Sequence, residues 1–214
     1  MARTPQIRKG KPTSARILET ATGLFAEKGF EGTSVDAIVN RTGVNKRMVY
    51  HYFGSKLELY RQVLLAAYEE IGRFEAERLE GVSEFGELVE RLVEIGFAFH
   101  REHPEFTRLI LWENLNEGRG IRTSPQHLSK EASIVRIRRA LEAAPAGRYR
   151  RDLDPRLIYL TIVGLTQTYV SNRYTLSQGL NLDLASPAVL KMGRRHAVQV
   201  IHAWLGQPPA DPRR

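Results

Sequence analysis

The 214-residue sequence contains no cysteine. That excludes disulfides and thiolate-held metal, and it fits a reducing compartment. No apolar run is long enough to span a bilayer, and the basic start MARTPQIRKGKPTSAR leads into no apolar core of the kind a signal peptide carries. A cytoplasmic chain with no membrane partner is therefore expected. Apolar–polar alternation, the mark of a half-buried strand, is almost absent. So are a G-x-S-x-G elbow, a phosphate-cradling glycine loop and a zincin motif, which leaves the usual hydrolase and nucleotide-dependent chemistries without their residues. No cofactor is expected either. Finally, no acid precedes Glu19, whereas Arg3, Arg8, Lys9, Lys11 and Arg16 all do.

What is present is 42% hydrophobic and 26% charged residues with a formal net charge of +8. The first two figures are those of a folded chain with a sizeable core. The third favours an anionic partner without separating nucleic acid from an acidic surface. Helical spacing runs through the whole chain and predicts an all-α protein. In TSARILETATGLFAEKGF one stripe holds Ile17, Leu18, Ala21, Leu24 and Phe25, with Thr13 or Ser14 to cap the start and Gly29 to end it. TSVDAIVNRTG predicts a short second helix, with Thr33 and Asp36 as a capping pair and Gly43 at its end. Asn45 caps a third, and Ser55 with Glu58 opens a long fourth. Further helices are expected near 83–102, 104–117, 125–144, 155–179 and 187–205, their starts marked by Pro104, Pro125, Pro155 and Pro187. This gives about nine helices. The expected division is an arm with a three-helix unit at 1–54, a larger helical bundle at 55–206 and a tail at 207–214.

Residues 43–56, GVNKRMVYHYFGSK, concentrate cations and tyrosines in a span too short to build a core. On a helix, with about 100° between residues, Lys46, Arg47, Tyr50 and His51 fall on one side and Met48, Val49, Tyr52 and Phe53 on the other. The second set reads as anchor, the first as display. A short helix so held, behind a glycine turn and another short helix, has the layout of a helix-turn-helix. Arg and Lys suit guanine O6 and N7, and tyrosine and histidine suit phosphate oxygens. Asn45 at the cap, Lys56 in the fourth helix and Thr33 at the start of the second add candidate contacts near helix amino ends. Arg3, Arg8 and Lys9 form a candidate arm that lies along the duplex or reaches the minor groove.

The run from Ile17 to Leu65, above all FAEKGFEGTSVDAIVNRTGVNKRMVYHYFGSKLELY, resembles the amino-terminal domain of the TetR family of bacterial transcriptional regulators. The resemblance implies a homodimer on a palindromic operator, a carboxy-terminal bundle that dimerises and binds a small effector, and most often repression. It also implies that Thr33, Lys46, Tyr50, His51 and Lys56 occupy DNA-contacting positions. Arg47 and Met48 stand where the family often has small residues, and Asn45 where it has serine or threonine. Arg47 is thus the candidate for a guanine contact particular to this chain. EHPEFTRLILWENLNEG and LTQTYVSNRYTLS are similar to the effector domain of a subset that includes the pyrimidine-utilisation repressor.

In the bundle, Trp112, Glu113, Asn116, Gln167, Tyr169, Asn172 and Arg173 join aromatic bodies to polar tips and are candidate ligand contacts. Ile162, Gly164, Val189, Ala197, Val200, Ile201 and Trp204 lie on helices more apolar than one face requires and are candidate dimer contacts. Three rival readings stand beside this one. An enzyme would need a metal at His100 and His103 with Glu102 and Glu105, but no second ligand pair is evident. A non-specific basic binder would show affinity governed by salt and not by sequence. A regulator independent of any effector, or an activating one, is the nearest alternative.

Overall fold

The computed structural model describes residues 12–122 and 130–206. Arg3, Arg8, Lys9, Pro125 and the expected tail lie outside them. Among the described residues there are ten α-helices and no strand: α1 (Thr13–Gly32), α2 (Val35–Thr42), α3 (Lys46–Phe53), α4 (Lys56–Arg78), α5 (Phe85–Glu102), α6 (Pro104–Leu115), α7 (Glu131–Ala143), α8 (Pro155–Ser171), α9 (Arg173–Gly179) and α10 (Pro187–Gly206). They divide into two compact units, 12–66 with 108–122 and 67–107 with 130–206. The division expected at 54/55 falls inside the first of these. The reason is that the first turns of α4 bury Leu59, Tyr60, Val63 and Leu64, with the Tyr60 ring edge-on to Phe25 at 4.9 Å.

In the first unit α1 packs on α2 and α3, and α2 on α3. Of the α1 stripe, Ile17, Ala21, Leu24 and Phe25 are buried and Leu18 is half-buried; each of the large buried side chains contributes roughly 1.5–3 kcal/mol. Pro12 precedes α1 without a side-chain cap, so neither Thr13 nor Ser14 caps it. Gly29 breaks the helix with φ 69° and ψ −178°, a conformation that a side chain resists. A Cβ at Gly29 would also lie 2.8 Å from the Trp112 ring. α2 opens on Ser34, whose hydroxyl accepts from the Ala37 N–H at 3.1 Å. The cap is therefore Ser34 and not Thr33. Asn45 and Ser55 cap α3 and α4 as expected, accepting from the N–H groups of Arg47 at 2.9 Å and Glu58 at 3.1 Å.

The second unit is built around α5, which packs on α7, α8 and α10. Phe99 on α5 meets Phe74 at 5.2 Å and Phe106 at 4.9 Å, both edge-on. α8 and α10 approach closely where Gly193 faces Tyr169, leaving 2.5 Å from a would-be Cβ to that ring. The single helix expected over 155–179 is two. Ser171 and Asn172 are poor helix formers that bond locally, and the Asn172 amide donates to the Ser171 hydroxyl at 2.8 Å.

Candidate nucleic-acid interface

α3 is held by one fully buried side chain, Val49, with Met48 and Phe53 partly covered. Lys46, Arg47, Tyr50 and His51 are exposed together. Tyr52 departs from the expected anchor set: it is 44% exposed, its ring edge-on to His51 at 5.2 Å and to Phe53 at 6.4 Å. Docking an eight-residue helix needs only a narrow contact, and Val49 supplies it. The second tyrosine is thereby released to the displayed surface, which the ideal wheel had assigned to the back.

The cations on this surface are not free spheres of charge. Lys46 Nζ lies 2.8 Å from Asp36 Oδ1, and both side chains are exposed. That hydrogen bond raises the ammonium pKa above its ordinary value. Lys56, in the first turn of α4, places its Nζ 4.2 Å from the Phe30 ring centre, a cation–π geometry. Arg47 stays exposed while its N–H serves the Asn45 cap, so Asn45 Oδ1 is committed to α3.

Thr33 is corrected. It is 1% exposed and its hydroxyl donates to the carbonyls of Leu24 at 3.1 Å and Gly29 at 2.9 Å. The side chain closes the break after Gly29 and cannot reach a phosphate.

The ligand candidates fall in both units. Trp112, Glu113 and Asn116 belong to the first unit, and Gln167, Tyr169, Asn172 and Arg173 to the second. Trp112 packs on Gly29. Asn116 donates to the Trp112 carbonyl at 2.8 Å. Glu113, 1% exposed, accepts from the Tyr60 hydroxyl at 2.8 Å and from the N–H groups of Gly120 and Ile121 at 2.5 and 3.0 Å. These three are internal fastenings that tie the end of α6 and the following loop to α1 and α4. In the second unit Tyr169 packs 5.2 Å from Phe97 and against Gly193 while staying partly exposed. Asn172 is exposed, and Arg173 sits over Tyr174 at 4.6 Å. Gln167 is half-buried.

The sequence reading missed a polar node in the second unit. Glu75, 6% exposed, accepts from Lys130 Nζ at 3.2 Å, the Tyr159 hydroxyl at 2.9 Å and the Ser133 hydroxyl at 2.8 Å. Burial first, and the carboxylate second, push the Tyr159 phenol above its ordinary pKa. One glutamate in a charged helix gives no sequence signal of this.

Of the candidate dimer contacts, Ile162, Val189, Ala197 and Ile201 are buried within the chain. With little surface left over, they serve the chain's own core. Gly164 and Val200 are exposed and Trp204 is half-buried. The outer face of α8 also carries Leu157 and Leu160, 52% and 63% exposed, and α10 carries Met192 at 54%. His100 and His103 have ordinary partners. His100 Nδ1 is 2.8 Å from the Thr107 hydroxyl, and His103 stacks on Phe99 at 4.5 Å.

A short recognition-type helix with an outward cluster of cations and tyrosines, in a three-helix unit joined to a larger helical unit, defines a helix-turn-helix DNA-binding regulator. The comparisons with known proteins agree. Residues 17–63 match the family described as bacterial regulatory proteins, tetR family, and residues 86–201 match the tetracyclin repressor-like, C-terminal domain. The chain belongs to the TetR family of transcriptional regulators and is not an enzyme. It is 36% identical over 176 residues to the HTH-type transcriptional repressor NicS of Pseudomonas putida, covering 81% of this chain and 82% of that one. It is 30% identical over 192 residues to the HTH-type transcriptional repressor AcnR of Corynebacterium efficiens, covering 84% and 94%. The solved structure of SCO4942, a putative transcriptional regulator from Streptomyces coelicolor, shares the fold with a TM-score of 0.70 at 22% identity, covering 92% of this chain and 100% of that one. Among the described residues no helix is long and apolar enough to cross a membrane.

Proposed function

We propose that the protein is a repressor that binds an inverted-repeat operator as a homodimer and is released by a small effector. The observation that carries the reading is the exposed face of α3, where Lys46, Arg47, Tyr50 and His51 stand together on a helix anchored by Val49. Arg47 reads a guanine, the tyrosines, Tyr52 included, contact phosphates, and Lys56 adds a backbone contact. Repression is supported by the names of two relatives, NicS and AcnR. Arg3, Arg8 and Lys9 remain candidates for a contact beside the main groove.

Self-association is supported by the outer faces of α8 and α10, which expose Leu157, Leu160, Gly164, Met192 and Val200. Residues 157, 160 and 164 recur at helical spacing, so α8 presents one apolar stripe, while on α10 Met192 and Val200 stand among the exposed Arg195, His196 and Gln199. Two such helices from each chain make a four-helix interface. The stripe predicts that Leu160→Glu, which alters no buried residue, yields a folded monomer by sedimentation and weakens operator binding at least tenfold. A variant that stays dimeric removes α8 from the interface.

An effector site in the carboxy-terminal region is supported by the match of residues 86–201 to the tetracyclin repressor-like, C-terminal domain. Release follows if the effector prefers a state that alters the two α3 helices' spacing, about 34–36 Å on ideal DNA. Its effect cannot exceed its differential affinity for the two states.

A further inference from the structure

The pair formed by Asp36 and Lys46 joins the first turn of α2 to the first residue of α3. A carboxylate at the start of a helix is ordinary, since the helix dipole favours it there. A carboxylate within hydrogen-bond reach of a lysine on the DNA-reading helix has a second consequence. Carboxylate and phosphate oxygens are both anionic acceptors for an ammonium, so Asp36 occupies Lys46 with the same chemistry that DNA would offer. The side chains are 66% and 49% exposed, which keeps the pair weak enough to share or open. Tyr50, one turn along α3, also bears on the ammonium. No other acid is paired with Lys46 among the described residues.

We propose that Asp36 is a specificity-determining residue of the DNA interface. It directs the Lys46 ammonium to one position and opposes any duplex that does not seat a phosphate there. An operator phosphate delivered to that position offsets the carboxylate's repulsion, whereas a randomly seated duplex, whose phosphates approach in many registers, does not. Asp36 thus lowers non-specific affinity more than operator affinity. The proposal rests on Lys46 being a DNA contact and goes beyond it.

The test uses full-length protein, wild type and the variants Asp36→Asn, Lys46→Ala and the double variant. Each is titrated by fluorescence anisotropy against a duplex recovered by genomic selection and against a scrambled duplex of equal length, at several salt concentrations. Asp36→Asn is expected to tighten the scrambled duplex about two- to five-fold, the span of an exposed ion pair. Operator affinity should change by less than two-fold, so the specificity ratio falls. The salt slope on scrambled DNA should steepen by about one unit. In the Lys46→Ala background only the carboxylate's direct repulsion is relieved, so the Asp36 substitution should have a markedly smaller effect. Equal tightening of both duplexes, a general loss of affinity, or an undiminished effect in the Lys46→Ala background would overturn the proposal. Lys46→Ala that leaves both duplexes unchanged would instead remove the underlying contact. Matching thermal melts separate either result from unfolding.

Discussion

Arg47 and Lys56 are both exposed or half-exposed cations near the same surface, but their chemistry differs. A guanidinium bidentate to guanine discriminates one base pair, by about 1–3 kcal/mol. An ammonium on a phosphate does not read sequence. Arg47→Ala is therefore expected to relax preference at one position in each half-site, and Lys56→Ala to weaken every site alike, by competition binding across single-base operator variants. Uniform loss from both would remove base reading from Arg47. Thr33 makes the opposite point, because its hydroxyl is buried and donates to two carbonyls. Thr33→Val leaves those acceptors short of a donor and should cost about 1–3 kcal/mol of stability in denaturant titration. Base preference should be unchanged in the folded fraction; a shifted preference would return Thr33 to the interface.

α3 was legible from the sequence because its capping asparagine, its preceding glycine and its one anchoring valine are all local signals. Tyr52 was not, since an ideal wheel assigns faces without knowing how narrow the docking contact is. Thr33 was misassigned for a related reason. Its pairing with Asp36 looked like a cap, whereas the break at Gly29 turns its hydroxyl back on α1 and passes the cap to Ser34. For the ligand candidates the difficulty lay at longer range. Aromatic bodies with polar tips describe Glu113 with Tyr60 and Trp112 with Gly29 as well as they describe a pocket, and spacing cannot say which partner a side chain finds. Buried α8 and α10 residues were likewise confused with partner-facing ones, because both are apolar and lie on adjacent stripes. On α5 an element-scale prediction follows. Burial lowers the His100 imidazole from 6.5 to about 4. The unfolded chain binds a proton there below about pH 6.5, the folded chain only near pH 4. Stability is thus intact above the higher value and falls as pH drops through this window, by up to about 3 kcal/mol. His100→Gln should flatten that part of the pH–stability curve; an unchanged slope would mean that His100 is protonated without cost in the fold.

At the scale of the whole molecule, the two units carry different features. The first presents the α3 surface, and its own hydrogen bonds incorporate the end of α6 through Glu113, Gly120 and Ile121. The second carries the buried Glu75 node and the apolar outer stripe of α8. α4 and α6 contribute residues to both units. The net charge of +8 alone would suit a protein that holds any duplex. A regulator must add to this a preference among sequences. The most direct test is selection of bound fragments from the source organism's DNA at near-physiological salt, followed by sequencing. A dimeric reader predicts an enriched inverted repeat with half-site centres about one helical turn, 34–36 Å, or a multiple of it apart. Enrichment without a shared motif, with affinity set by salt alone, would contradict sequence-specific recognition by α3.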